Sequence, residues 1–386
     1  MPELNLPFIT LSEVDYSRIV QLFRQWTKRS SNPLNHIDPE KVTLALANSI
    51  AYLLSDRIKE GIGRGGWGYS DKEYMRKLYG SEVADQVHES VMTTVVVILA
   101  LHNCLLQLEK TGIKVNGRSP RDLLDTLVDE LDEYLRYRWD NQKGHGGVLV
   151  AGREGDLILT PRYRHTAWFF HVWHRLPKYR DRMKLTAINL LEEFDRVQWS
   201  DEKVATAVAA YSAFSLLEND PLCDALAAVP RVKHLKHVLE GQIESQFNHE
   251  LSGWTSGNTL LGGRQLYTLF VCAEMAGMNS FPESVLSSQL LEALETTMGS
   301  KWCAFDGRGV PLSPNGQSDL SASALAASAL MRQPRLTNSG QSFLSNIMRY
   351  LVENLAKDDD TIQGIFAWTL SYFLQDISQW LGEGKR

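Results

Sequence analysis

"VATAVAAYSAFSLL", residues 204–217, holds five alanines and no charge. Wound as a helix, it presents small or apolar side chains on every face, so it suits a position packed closely on all sides. "DLSASALAASALM", residues 319–331, repeats that composition with a single acid at its start. "SPRDLLDTLVDELDEYL", residues 119–135, is a helix of the opposite kind. Ser119 is a good N-cap, Pro120 suits the first helical position, and Asp122 stands at the capping-box position. Leu123, Leu124, Leu127, Val128, Leu131 and Leu135 mark one face and acids the other, which predicts a helix lying on a surface.

These two kinds alternate along the chain. Amphipathic helices are predicted at 39–58, 119–137, 179–196, 231–247, 282–297 and 340–355. Helices apolar or small nearly all round are predicted at 88–109, 165–175, 203–217, 264–276, 319–332 and 361–381. The turns from the first kind to the second carry "GRGGWGYS" (63–70), "GHGGVL" (144–149), "VQWSD" (197–201), "LSGWTSG" (251–257) and "SKWCAFDG" (300–307), and the sixth has only "KDDDT" (357–361). Runs with the two-residue period of a half-buried strand are not evident, so strands are not expected. Six outer and six inner helices with short turns close naturally into a double ring. The expected organisation is an N-terminal extension, residues 1–38, with one helix at 11–29, followed by a single all-α domain, residues 39–386.

The chain has 386 residues, 44% of them hydrophobic and 22% charged, ample for a large core. A net charge of −6 argues against a general nucleic-acid surface while allowing a local basic pocket. The longest apolar stretch, 91–100, is interrupted by Thr93 and Thr94 and reads as a buried helix rather than a membrane span. No signal peptide is evident, and Cys104, Cys223, Cys272 and Cys303 lie too far apart for a zinc ribbon. Buried thiols in a cytoplasmic protein are expected.

The alternation resembles the (α/α)6 toroid shared by terpenoid cyclases and the β subunits of protein prenyltransferases. "GGWG" (65–68), "SGW" (252–254) and the small-residue helix "SDLSASALAAS" carry the resemblance, which covers roughly residues 39–381. It implies that chemistry sits at one mouth, where the inner helices begin and their N–H groups favour anions. Class II cyclases place D-x-D-D-T-A there to protonate an alkene or epoxide. This chain has Arg162, Tyr163, Arg164, His165, Thr166 and Ala167 at the equivalent place. An arginine does not donate a proton at neutral pH, so that chemistry is not expected. The prenyltransferase zinc site fares no better: Arg264 and Leu266 stand where Asp and Cys would be, and Ala322 where a His would be. The zinc pattern of lanthionine cyclases is missing too. His171 and His174 share a helix face at the spacing of a metal pair, yet no third ligand accompanies them, and aromatic-core histidines are expected. No metal and no cofactor is implied.

What remains is a set of charges at the expected rim: Arg162, Arg164, His165, Arg264 and Arg308, with Glu89, Asp306 and Asp319. Surface ion pairs are the plain reading. The functional reading is a basic mouth over aromatic residues, with Trp168, Tyr267 and Trp302 among them, fitted to an anionic group on an apolar body. Asp306 and Asp319 are the acids there suited to general acid–base work. The favoured function is a non-catalytic toroid that binds such a ligand or a partner protein, as an accessory subunit would. An enzyme acting on a prenyl-diphosphate-like or other anionic lipid-like substrate is the second reading. A carbohydrate-active barrel, with two carboxylates flanking a sugar, is the third.

Overall fold

The computed structural model describes residues 12–27, 37–59, 64–68, 91–115, 117–151, 157–199, 203–249, 253–254, 309–311, 317–331, 338–354 and 360–383. The chain is mostly helical. In order, the described helices are α1 (Glu13–Thr27), α2 (Pro39–Ser55), α3 (Val91–Thr111), α4 (Pro120–Arg138), α5 (Tyr163–Arg175) and α6 (Arg180–Glu193). After them come α7 (Val204–Glu218), the short α8 (Pro221–Ala225), α9 (Val229–Ser245), α10 (Leu320–Met331), α11 (Asn338–Asn354) and α12 (Asp360–Glu383). Ten of these match expected inner or outer helices to within about three residues, and α1 matches the helix expected at 11–29. The helices expected at 264–276 and 282–297 lie outside the described residues.

The two kinds of helix behave as their composition dictates. Every residue of α7 from Val204 to Phe214 is buried, and so is every residue of α10 from Ala322 to Leu330. By contrast, α4 buries a stripe that includes Leu123, Leu127, Leu131 and Leu135, and it starts where expected: the Ser119 hydroxyl accepts the Asp122 N–H at 3.1 Å. The apolar helices lie side by side in the order α7, α5, α3, α12, α10. An amphipathic helix backs each of them: α9 on α7, α6 on α5, α4 on α3, α2 on α12 and α11 on α10. The most extensive packing joins α3 to α12, where the Cys104 thiol sits 3.3 Å from the Ala367 carbonyl oxygen. Gly364 permits that approach, because a Cβ there would lie 3.0 Å from a Val97 methyl.

Three of the turns that lead inward share one device. The Trp67 indole N–H donates to the Leu53 carbonyl at 2.7 Å, and the Trp254 indole donates to the Ile243 carbonyl at 3.1 Å. Each acceptor stands two residues before the last residue of its outer helix, Ser55 or Ser245. Trp199 does the same to Phe194, two residues before the end of the 3-10 turn Phe194–Arg196 that extends α6. Helix ends leave such carbonyls without an intrahelical partner, and the indoles supply one where the chain turns into the core. Gly65, at φ +86°, lets the first of these turns pass over α4, since a Cβ there would lie 2.4 Å from the Glu130 carbonyl oxygen.

The expected absence of strands is a misreading that the structure corrects. β1 (Trp139–Asp140), β2 (His145–Ala151) and β3 (Leu157–Pro161) form an antiparallel sheet in that order, with Leu149 opposite Leu159. The expected turn at 144–149 is therefore mostly strand. Val148, Leu149 and Val150 face Thr160, Leu159 and Ile158, so the hairpin is apolar on both faces and shows no alternation. Two-residue pieces pair locally: β4 (Phe247–Asn248) with β5 (Gly253–Trp254), and β6 (Val310–Pro311) with β7 (Ser318–Asp319). The apolar stretch at 91–100 lies within α3, as expected of a buried helix. By length and composition α3 could cross a membrane, but 78% of its most apolar window is buried inside the structure.

Replacing Trp67 or Trp254 by Phe keeps a ring in the core but strands a buried carbonyl. Urea unfolding of each variant is expected to show a loss of about 1–3 kcal/mol. Trp199→Phe, at a half-buried position, loses less. Parent-like stability in both buried variants would show that the indole bonds do not hold the turns.

Candidate functional site at the threshold of α5

The chain enters α5 from β3 through Pro161, and Arg162 takes the N-cap position with an extended backbone. The Arg162 N–H donates to the Gly146 carbonyl at 3.0 Å. Thr166 completes the join: its N–H and its hydroxyl both donate to the Arg162 carbonyl, and its hydroxyl accepts the Gly146 N–H at 3.1 Å. Gly146 is required here, because a Cβ would lie 2.3 Å from the Phe169 ring. The strand is thereby pressed flat against the first turn of the helix.

This join distributes the three bases over different surroundings. Arg162 is exposed and lines a cleft of about 610 Å³, together with Lys143, His145, Asn189, Glu192 and Glu193. Arg164 lies over the Trp168 ring, 5.6 Å from its centroid, and Trp168 itself is only 5% exposed. His165 faces inward. Burial, then the charges of Arg164 and Arg138, pull its pKa down to about 3, against a hydrogen bond to the Gly147 backbone, and Arg162 lowers it further. The imidazole is thus neutral, and the positive charge of the threshold belongs to the arginines. Arg138, 3% exposed in the last turn of α4, belongs to this group and was not singled out in the sequence. A base in a final helical turn reads as a partner of the helix dipole, which hid it.

Asp319 has a structural role, since its carboxylate accepts the Ala322 N–H at 2.8 Å and so caps the first turn of α10. Glu89, Arg264, Tyr267, Trp302, Asp306 and Arg308 lie outside the described residues. The pair His171 and His174 is divided between partners. His171 is buried, with Nε2 3.1 Å from the Ser212 hydroxyl, while His174 stands 3.8 Å from an Asp220 carboxylate oxygen. Among the described residues, no three His, Cys, Asp or Glu side chains gather as a metal site would need. Cys104 and Cys223 are free, buried thiols.

A second perturbed group starts α12. Asp360 is buried, and one of its oxygens accepts the Gly68 N–H at 3.1 Å while the other has no hydrogen-bond partner among the described residues. Burial and the neighbouring Asp56 carboxylate raise its pKa to about 8. An acid held protonated at neutral pH at the start of an inner helix is the kind of group that general-acid catalysis uses. The run "KDDDT" reads as a solvated turn, so nothing in it marks Asp360 as buried. No family model matches the sequence, and no curated protein matches it significantly.

Folding raises the Asp360 pKa above its ordinary value of 3.8, so the folded state holds a proton that the unfolded state releases. Stability therefore falls as pH rises from about 4 to about 8. Thermal melts of Asp360→Asn are expected to lose most of that slope and to exceed the parent above neutral pH. An unchanged slope would show that Asp360 ionises normally.

Proposed function

We propose that the chain is an (α/α)6 toroid related in fold to terpenoid cyclases and prenyltransferase β subunits, and that it binds an anionic group without the chemistry of either. Five apolar helices side by side, each backed by an amphipathic one, support the toroid. The helices expected at 264–276 and 282–297 fall in sequence between α9 and α10, where a sixth pair would complete the double ring. What carries the binding role is the charge around His165: Arg162 and Arg164 stand at the N-terminus of α5, and Arg138 joins them from the last turn of α4. Guanidinium groups on a partly dry floor grip phosphate or carboxylate in bidentate fashion. The ligand is an anion with an apolar body, or an acidic segment of a partner protein.

Isothermal titration with inorganic pyrophosphate tests this directly. Charge-assisted hydrogen bonds contribute about 1.5–3 kcal/mol each, so Arg164→Ala is expected to weaken binding roughly ten- to a hundredfold with little change in melting temperature. Arg162→Ala, at an exposed position, acts in the same direction. Unchanged binding in both variants, or a collapse of their melting temperatures, would mean that these arginines only hold the fold together.

One feature favours an enzyme as the second reading, namely the buried Asp360 carboxyl, whose pKa is raised by burial and by Asp56. An activity found with any prenyl-diphosphate-like substrate and abolished by Asp360→Asn, with binding at the arginines kept, would establish it. The carbohydrate-active reading has less support, because Asp319 is engaged as a helix cap.

A further inference from the structure

A groove of about 730 Å³ opens at the far end of α5, where the helix gives way to Leu176, Pro177 and Lys178. It lies about 20 Å from the Arg162 threshold, one length of a thirteen-residue helix. Leu105 and Leu106 of α3 and Leu124 and Val128 of α4 wall it, and Arg175 and His102 supply polar groups to its lining. Its volume falls in the range of small-molecule pockets.

The polar groups are the informative ones. His102 is only 9% exposed, and its Nδ1 has no hydrogen-bond partner among the described residues. Burial first, and then Arg175, lower its pKa to about 4, so it is neutral and can meet a ligand with either a proton or a lone pair. Of the neighbouring bases, Lys178 lies 2.8 Å from Asp129 and from Asp132 and Arg180 lies 2.9 Å from Asp220, while Arg121 also lines the groove, at an exposed position. Among the described residues, no carboxylate pairs with Arg175, although burial penalises its charge. The groups felt across its contacts are His102, the neutral His171, His174, and the Tyr372 hydroxyl, which already accepts the Trp368 indole N–H at 3.0 Å. The C-terminal dipole of α5 favours a cation there but offsets only a fraction of what burying an ion costs.

We propose that this groove binds a small monocarboxylate, with its carboxylate on the Arg175 guanidinium and its apolar body along Leu105, Leu106, Leu124 and Val128. The His102 ring lies beside the guanidinium, and its Nδ1 donates to the carboxylate in the tautomer that carries the proton there. A single negative charge fits better than a phosphate cluster, because Glu109 and the exposed Asp125 stand at the same groove and repel a polyanion. The site is separate from the threshold of α5 and does not depend on the function proposed for it.

Decanoate is the probe, titrated calorimetrically below its micellar concentration, with decanol as the uncharged control. Decanoate is expected to bind the parent protein more tightly than decanol, and Arg175→Met to weaken it by about tenfold or more through loss of the charged contact. Leu106 is 39% exposed, so Leu106→Glu leaves the fold intact and is expected to weaken decanoate binding by adding a charge beside its chain. Arg162→Ala leaves decanoate binding unchanged. If Arg175→Met does not fold, Leu106→Glu alone decides. The proposal is overturned if the parent does not bind decanoate, if it binds decanol as well, if the folded variants bind decanoate like the parent, or if only Arg162→Ala abolishes binding.

Discussion

The inward turns are anchored by indole N–H groups that bond the last open carbonyls of the outer helices. Trp67, Trp199 and Trp254 reach acceptors at the same offset, two residues before the end of the outer segment. Side-chain bulk and hydrogen bonding act together there: the ring fills the core and its single donor satisfies a carbonyl that water does not reach. With the end of each outer helix fixed, the next helix starts at a set place behind it. Only small or apolar residues then fit along that next helix, because other helices close around it. The composition of α7, which follows the Trp199 turn, accords with this constraint. So does the tight seam of α3 and α12, which brings residues 263 apart in sequence into contact.

Electrostatics at the two ends of α5 obey one rule with opposite outcomes for its ligands. At both ends an imidazole is kept neutral, His165 at the start and His102 beside the finish, because burial and the neighbouring arginines both disfavour its charged form. A guanidinium is not deprotonated in a protein, so the arginines remain the charged groups at both ends. An interior with histidines and arginines together is thus cationic only through its arginines. At the start of α5 the helix dipole adds to their field and favours a highly charged anion. At the finish the dipole opposes it, and a single carboxylate is the better match.

The order of helices was legible because the cue for it is compositional and long. Ser119 and Pro120 mark the start of α4 within the residue, and the alanine-rich run at 204–217 marks α7 almost to its ends. The β2–β3 hairpin was not legible, since Val148 to Val150 and Leu157 to Leu159 are apolar on both faces and carry no period. At the threshold of α5 the position of the bases could be read, but not their directions. Adjacent helical residues diverge by about 100°, so Arg162, Arg164 and His165 enter a cleft, an aromatic face and the interior respectively. Arg138, Arg175 and Asp360 share a different obscurity: each sits at a helix end, where a charge is ordinary, and only tertiary packing buries it.

That shared placement bears on function. Along their lengths the apolar helices are mostly non-polar, with His102 of α3 and His171 of α5 among the buried exceptions. Burying an ion or holding a carboxyl beside another costs stability, and replacing such groups by apolar side chains of similar size is often neutral or stabilising. Yet the chain keeps Arg138 at the end of α4, Arg175 at the end of α5 and a protonated Asp360 at the start of α12. These groups sit at helix ends, and Arg175 lines the groove beside the end of α5. Breaches of local rules are what a functional constraint produces. The helix ends, rather than the packed middle, are therefore where the proposed ligands are to be tested.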